Sequence, residues 1–209
     1  MFKWMKPQTK SDPEPEKPKK TEKDVDDSGY EYAIRGSMRL ESICTLSCGM
    51  PDHIRTVHRI FIESAQDNIS LLSHDLSLYE DGMLVREMER AVRDRNVVVT
   101  AVLSNDQMSG KFFKLLVQLA EEFPWRVEVF SYDLEKHDIG SPEFCVVDSR
   151  RFRWDPKNID DEGEPVYGTA CCNSPKNATE LRGTVEHLAS KIRDEKNKPT
   201  EPVTTPQDD

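Results

Sequence analysis

Apolar and polar positions alternate between two periods along the middle of the chain. In HIRTVHRIFIESAQ, Ile54, Val57, Phe61 and Ala65 share one face at helical spacing. Ile69–Ser73 then reads as a short strand. Leu84, Met88, Ala91 and Val92 predict a second amphipathic helix. The run Val97–Leu103 is almost wholly apolar, as in a strand covered on both faces. Phe112, Leu115, Leu116 and Leu119 mark a third helix that closes near Pro124, and Val127–Phe130 is another strand. A strand ending at Asp148, a strand around Val166–Cys172 and a last helix through Leu181, Val185 and Leu188 complete the pattern. Strands and helices in this order predict an α/β fold, a mainly parallel or mixed sheet flanked by helices.

The two ends lack either period. Residues 1–35 contain KSDPEPEKPKKTEKDVDD, and residues 194–209 read DEKNKPTEPVTTPQDD. Such segments bury too little apolar surface to offset their ordering entropy, so both are expected to be disordered tails around one domain at 36–193. In the opening MFKWMKPQTK, Phe2, Trp4 and Met5 lie among lysines but form no secretory leader.

Charge and cysteine usage narrow the function classes. The 209 residues carry a formal net charge of −10. An acidic chain is a poor partner for nucleic acid, because phosphate contacts need Lys and Arg. No apolar run approaches the roughly 20 residues of a membrane span. Five cysteines, Cys44, Cys48, Cys145, Cys171 and Cys172, form an odd set without a leader, which suits a reducing, cytoplasmic setting. The spacing CxxxC and the adjacent Cys171–Cys172 pair are not those of common zinc sites, and the thiols read as small buried hydrophobes. The sequence has no phosphate-binding glycine loop and no nucleophile elbow, and implies neither a metal nor a cofactor.

The most informative stretch is Gly140-Ser141-Pro142-Glu143-Phe144-Cys145-Val146-Val147-Asp148, followed after a polar loop by Tyr167-Gly168-Thr169-Ala170-Cys171-Cys172-Asn173. It resembles the phospholipase D-like superfamily, whose signature is His-x-Lys-x-x-x-x-Asp on a strand, then a Gly-containing strand ending near Asn. Laid on this chain, the His position is Ser141, the Lys position Glu143 and the Asp position Asp148. The run ISLLSHDLSLYEDGMLVREMERAVRDRNVVVTAVLSND resembles the opening of the same unit. The resemblance implies a single phospholipase D-like unit, of a kind that commonly pairs so that two half-sites face each other. It therefore implies a homodimer, or a heterodimer with a catalytic partner.

The departures from the signature bear on chemistry. In that family the His attacks phosphorus and the Lys neutralises phosphate oxygens. Covalent catalysis needs an attacking group and matched cations in the transition state. Ser141 has no base beside it in sequence, and Glu143 sets a negative charge where a phosphate must sit. Asp148 alone orients nothing. Ser141, Glu143, Asp148 and Asn173 are therefore expected to form a degenerate site in one cleft, with the phosphodiesterase activity lost.

Other residues offer further chemistry. His74 and Asp75 follow a strand end, where open α/β sheets line their ligand crevice, so His74 is a candidate relocated acid–base group. Asn105 and Asp106 follow another strand and are equally good turn formers. His58, between Arg55 and Arg59, reads as a surface residue, and His137 does not restore the motif. Arg150, Arg151 and Arg153 alternate with Phe152 and Trp154; this suits a polyanion-binding patch, and equally a hairpin with one solvated face. The acidic loop 160–164 lacks EF-hand spacing. Three functions follow: a catalytically inactive binding or assembly module, an active phosphodiesterase or nuclease with a rearranged site, and a nucleic-acid-binding regulator.

Overall fold

A computed structural model describes residues 27–48, 50–74, 76–105, 108–133, 142–155 and 168–197. Ser141, Asp75, Asp106, His137, the acidic loop 160–164, Tyr167 and the outer parts of both tails lie outside the described residues.

The elements run α1 (Asp27–Arg39), β1 (Thr45–Ser47), α2 (Pro51–Glu63), β2 (Asn68–Ser73), a 3-10 turn (Ser77–Tyr79), α3 (Gly82–Arg93), β3 (Val98–Ser104), α4 (Gly110–Glu122), β4 (Val127–Tyr132), β5 (Glu143–Val147), β6 (Arg151–Asp155), β7 (Thr169–Cys171) and α5 (Pro175–Lys196). Local chemistry sets several boundaries. Pro51 opens α2, where its missing N–H costs nothing. The Asp81 side chain caps α3 by accepting from the N–H groups of Met83 and Leu84.

The strands form one sheet in the order β1-β7-β6-β5-β2-β3-β4. The pairs β2–β3 and β3–β4 are parallel, and α3 and α4 supply their crossovers. All other pairings are antiparallel. The sheet is thus mixed, and its parallel part is confined to β2-β3-β4. The reason lies after β4: β5 and β6 are joined by a tight turn, which allows only antiparallel pairing.

Two cores lie on the two faces. Helices α1 to α4 cover one face, where Ile34, Val57, Phe61, Leu84, Met88, Leu116, Ile69, Leu71, Cys145 and Val147 pack together. On the other face α5 packs Ala178, Val185, Leu188 and Ile192 against Leu72, Val102, Phe130, Phe144 and Val146. Alternate residues of β5 serve opposite cores, so Glu143 and Cys145 face the α1–α4 side.

Two boundaries differ from the sequence expectation. The segment expected to be a tail up to residue 35 already carries most of α1, whose Ile34 is fully buried. At the other end α5 continues to Lys196, beyond the expected limit at 193.

Candidate functional site

The carboxyl ends of β2, β3 and β4 meet the start of β5 and the end of β6 at one end of the sheet. Glu143 opens β5 there and is only 5% exposed. Its Oε1 accepts the backbone N–H of His74 at 2.7 Å. The His74 ring is also buried, and its Nδ1 shares a hydrogen bond with the Tyr132 hydroxyl at the end of β4. Burial, and then the charge of Glu143, raise the Tyr132 phenol above its ordinary value, so the hydroxyl keeps its proton.

Cross-strand pairing adds a second carboxylate. Glu143 stands opposite Asp155 on β6. Arg153, on the same face two residues earlier, is 1% exposed and holds Asp155 Oδ2 at 2.6 Å. The Cys48 thiol lies near the Arg153 guanidinium, and both face Gly168. Beneath them Tyr79 stacks on His58, ring centroids 4.4 Å apart, with Tyr79 Oη 3.2 Å from His58 Nε2. Burial, and then the nearby Arg153 cation, drive the His58 imidazole well below its usual value, so it stays neutral. This end of the sheet thus carries a polar layer of Arg153, Glu143 and Asp155.

The other motif positions lie elsewhere. Asp148 follows the far end of β5, about 16 Å from Glu143 at strand rise. Asp148 and Ser149 both have left-handed backbones, φ 54° and 47°. They form a tight turn closed by Arg150 N–H donating to Val147 C=O at 3.1 Å. The Asp148 carboxylate accepts backbone N–H groups from Gln66, Asp67 and Asn68 at 3.0, 2.8 and 3.2 Å. In return its own N–H donates to Asn68 C=O. It clasps the α2–β2 loop to the hairpin. Asn173 lies past the end of β7, toward the same end as Asp148, and its Nδ2 donates to Glu41 C=O at 2.5 Å. Of the sequence candidates, Glu143 and His74 therefore meet, whereas Asp148 and Asn173 do not join them. Asn105 is exposed just beyond β3.

The RRFRW segment does not gather its cations. Arg150 is exposed and paired with Glu41 at 3.3 Å. Arg151 leans on Asp148 at 3.2 Å, and Arg153 is buried beneath α2. Trp154 is on the opposite face, where it lines an open groove of about 490 Å3 with Phe152, Thr45, Thr169 and Leu181.

Sequence reasoning missed Tyr79, Tyr132 and Asp155, and placed His58 at the surface. His58 is fully buried. The signal was present: it stands four residues after Ile54 and three before Phe61, inside the buried stripe of α2.

No protein-family profile matches the chain, and no curated protein matches it. Solved structures do. TrmBL2, an archaeal chromatin protein whose structure shows a novel mode of DNA binding, is 12% identical with a TM-score of 0.54, over 78% of this chain and 61% of that one. The likeness is one of fold. This chain thus spans about 61% of the TrmBL2 length. Nuc from Salmonella typhimurium, a phospholipase D family member, is 16% identical with a TM-score of 0.48, over 73% of this chain and 94% of its own. NucT from Helicobacter pylori is 10% identical with a TM-score of 0.42, over 72% and 94%.

Proposed function

We propose that this chain is a phospholipase D-like domain that binds or assembles without cleaving phosphodiesters. The observation that carries this reading is Glu143, a buried carboxylate at the signature's Lys position, held by the His74 N–H and facing Asp155 across the strands. Phosphoryl transfer needs cations aimed at the phosphate oxygens. Among the described residues the cation nearest in the pattern, Arg153, is turned inward onto Asp155. The His74 ring is buried against Tyr132, which keeps it from acting as an open nucleophile.

Assembly is supported at the β1 edge. Among the described residues this strand pairs only with β7, and Leu40 and Ile43 beside it are 80% and 83% exposed. Exposed apolar side chains next to an open strand edge favour pairing with another chain, here a second copy or a related protein.

Light scattering after size exclusion, at tens of micromolar, tests the assembly: a dimer is expected, and a clean monomer defeats it. Incubation with bis-p-nitrophenyl phosphate tests the chemistry: no turnover above buffer is expected. Hydrolysis that disappears in His74→Ala would replace this reading with a rearranged phosphodiesterase.

DNA binding is a second reading, brought by the TrmBL2 fold. It is weakened by the net charge of −10 and by the dispersal of Arg150, Arg151 and Arg153. A gel shift at low salt that is lost in Arg150→Glu would favour it.

A further inference from the structure

At the end of the sheet opposite Glu143, three guanidinium groups open on one cavity. Arg35 and Arg39 stand one turn apart on α1, with Met38 beside them. Arg151, the first residue of β6, faces the same side of the sheet. Together the four residues line an open cavity of about 270 Å3. We propose that this cavity binds a compact phosphate anion, either inorganic phosphate or the monoester group of a small molecule.

The local charge pairing leaves donors over. Arg35 uses Nε on Glu31 and Nη2 on Glu63, each at 2.7 Å. Arg59 of α2 meets the same two carboxylates, at 2.5 and 3.8 Å. Glu31 and Glu63 are therefore neutralised without Arg39. Among the described residues Arg39 has neither a hydrogen bond nor an ion pair, although it lines the cavity. Arg151 spends Nη1 on Asp148, while its buried Nε lacks a hydrogen-bond partner in the described structure. A buried N–H without an acceptor is costly, and an anion oxygen in the cavity would supply one.

The donor type selects the ligand. A guanidinium presents planar forked N–H pairs that match phosphate oxygens, and forks from two elements can grip one tetrahedral anion from several sides. Size and surroundings select a small one. The cavity is small, about 270 Å3, and Asp148, paired with Arg151, adds a carboxylate behind it, so a compact anion is favoured over an extended polyanion. The cavity stands apart from Glu143 and His74, which none of these residues touches in the described contacts.

The test is an NMR titration of the full chain with inorganic phosphate, then phenyl phosphate, then a short DNA duplex, at constant ionic strength. Saturable shifts at the Nε–H signals of Arg35, Arg39 and Arg151 are expected with phosphate or phenyl phosphate at millimolar concentration. Tighter binding of phenyl phosphate would identify a monoester as the source; equal binding would identify the free ion. Arg39→Gln, an exposed change, should weaken binding about tenfold or more, the loss of one charged hydrogen bond. Arg55→Gln, on exposed α2 surface and paired with Asp52, should leave it unchanged. No saturable shift up to tens of millimolar, or binding indifferent to Arg39→Gln, would overturn the proposal. Binding of the duplex without binding of either small anion would overturn it in favour of a nucleic-acid contact.

Discussion

Glu143 Oε1 accepts the His74 N–H at 2.7 Å and so ties the start of β5 to the end of β2. That contact fixes backbone. Glu143→Ala is expected to lose about 2–4 kcal/mol of stability, from an orphaned buried donor and a small cavity. Glu143→Lys, which writes the signature residue back, is expected to destabilise as well and to gain no turnover, since it sets a cation beside Arg153. Urea unfolding and a bis-p-nitrophenyl phosphate assay check both.

Asp148 is expected to matter for stability alone. Its carboxylate serves three backbone donors of the α2–β2 loop. Asp148→Ala should cost about 2–3 kcal/mol, because charged acceptors of backbone N–H groups are among the stronger hydrogen bonds. Asp148→Gly should cost less, since glycine accepts the left-handed backbone at this position without strain. Chemical denaturation of the three proteins orders them.

Three buried groups set the pH limits. Burial pushes the Cys145 thiol up to about 12 and the Cys172 thiol up to about 11, from an ordinary value of 9.0. The folded state therefore binds these protons more tightly than the unfolded chain. Their contribution is complete below pH 9 and is lost as pH rises toward 11 and 12. His58 acts at the acid end. Its folded value is depressed, so its contribution is complete above its ordinary 6.5 and falls away as pH drops. Melting temperature against pH should fall on both sides, and His58→Gln should flatten the acid slope. Ellman's reagent should find Cys44 first, because the other four thiols are buried.

Helix α1 is expected to be part of the cooperative unit. Ile34 is fully buried in the larger core. Ile34→Ala should cost about 2–4 kcal/mol in an unfolding experiment followed by tryptophan fluorescence. A fraying helix would show almost no change.

The regular part of the fold was legible wherever one period dominated. Helices α2, α3, α4 and α5 and strands β2 to β5 announce themselves through stripes such as Leu84-Met88-Ala91-Val92 and runs such as Val97–Leu103. Helix α1 was hidden because Tyr30, Ile34 and Met38 stand among charges and directly follow a proline-rich segment, so a composition argument overrode a helical spacing. Strand β1 is only three residues long, and its place depends on β7, remote in sequence.

The site was half legible. His74 at a strand end and Glu143 at a strand start were singled out, and antiparallel pairing of β2 with β5 brings them together. The same pairing sends Asp148 to the opposite end, which a linear motif does not reveal, because residues five apart on a strand are far apart in space. Arg153 looked like surface charge. Only the face that carries Arg153 is turned into the larger core, where Asp155 holds the guanidinium.

Pairing of Thr45 with Cys171 makes one sheet border out of the first and last described strands. During synthesis the strands from β2 to β4 can zip up in order as they emerge. The stretch around Thr45 must wait, its neighbour unmade, until the ribosome has delivered β7. A chain halted before β7 would leave that border gaping beside Leu40 and Ile43, a natural handle for chaperones.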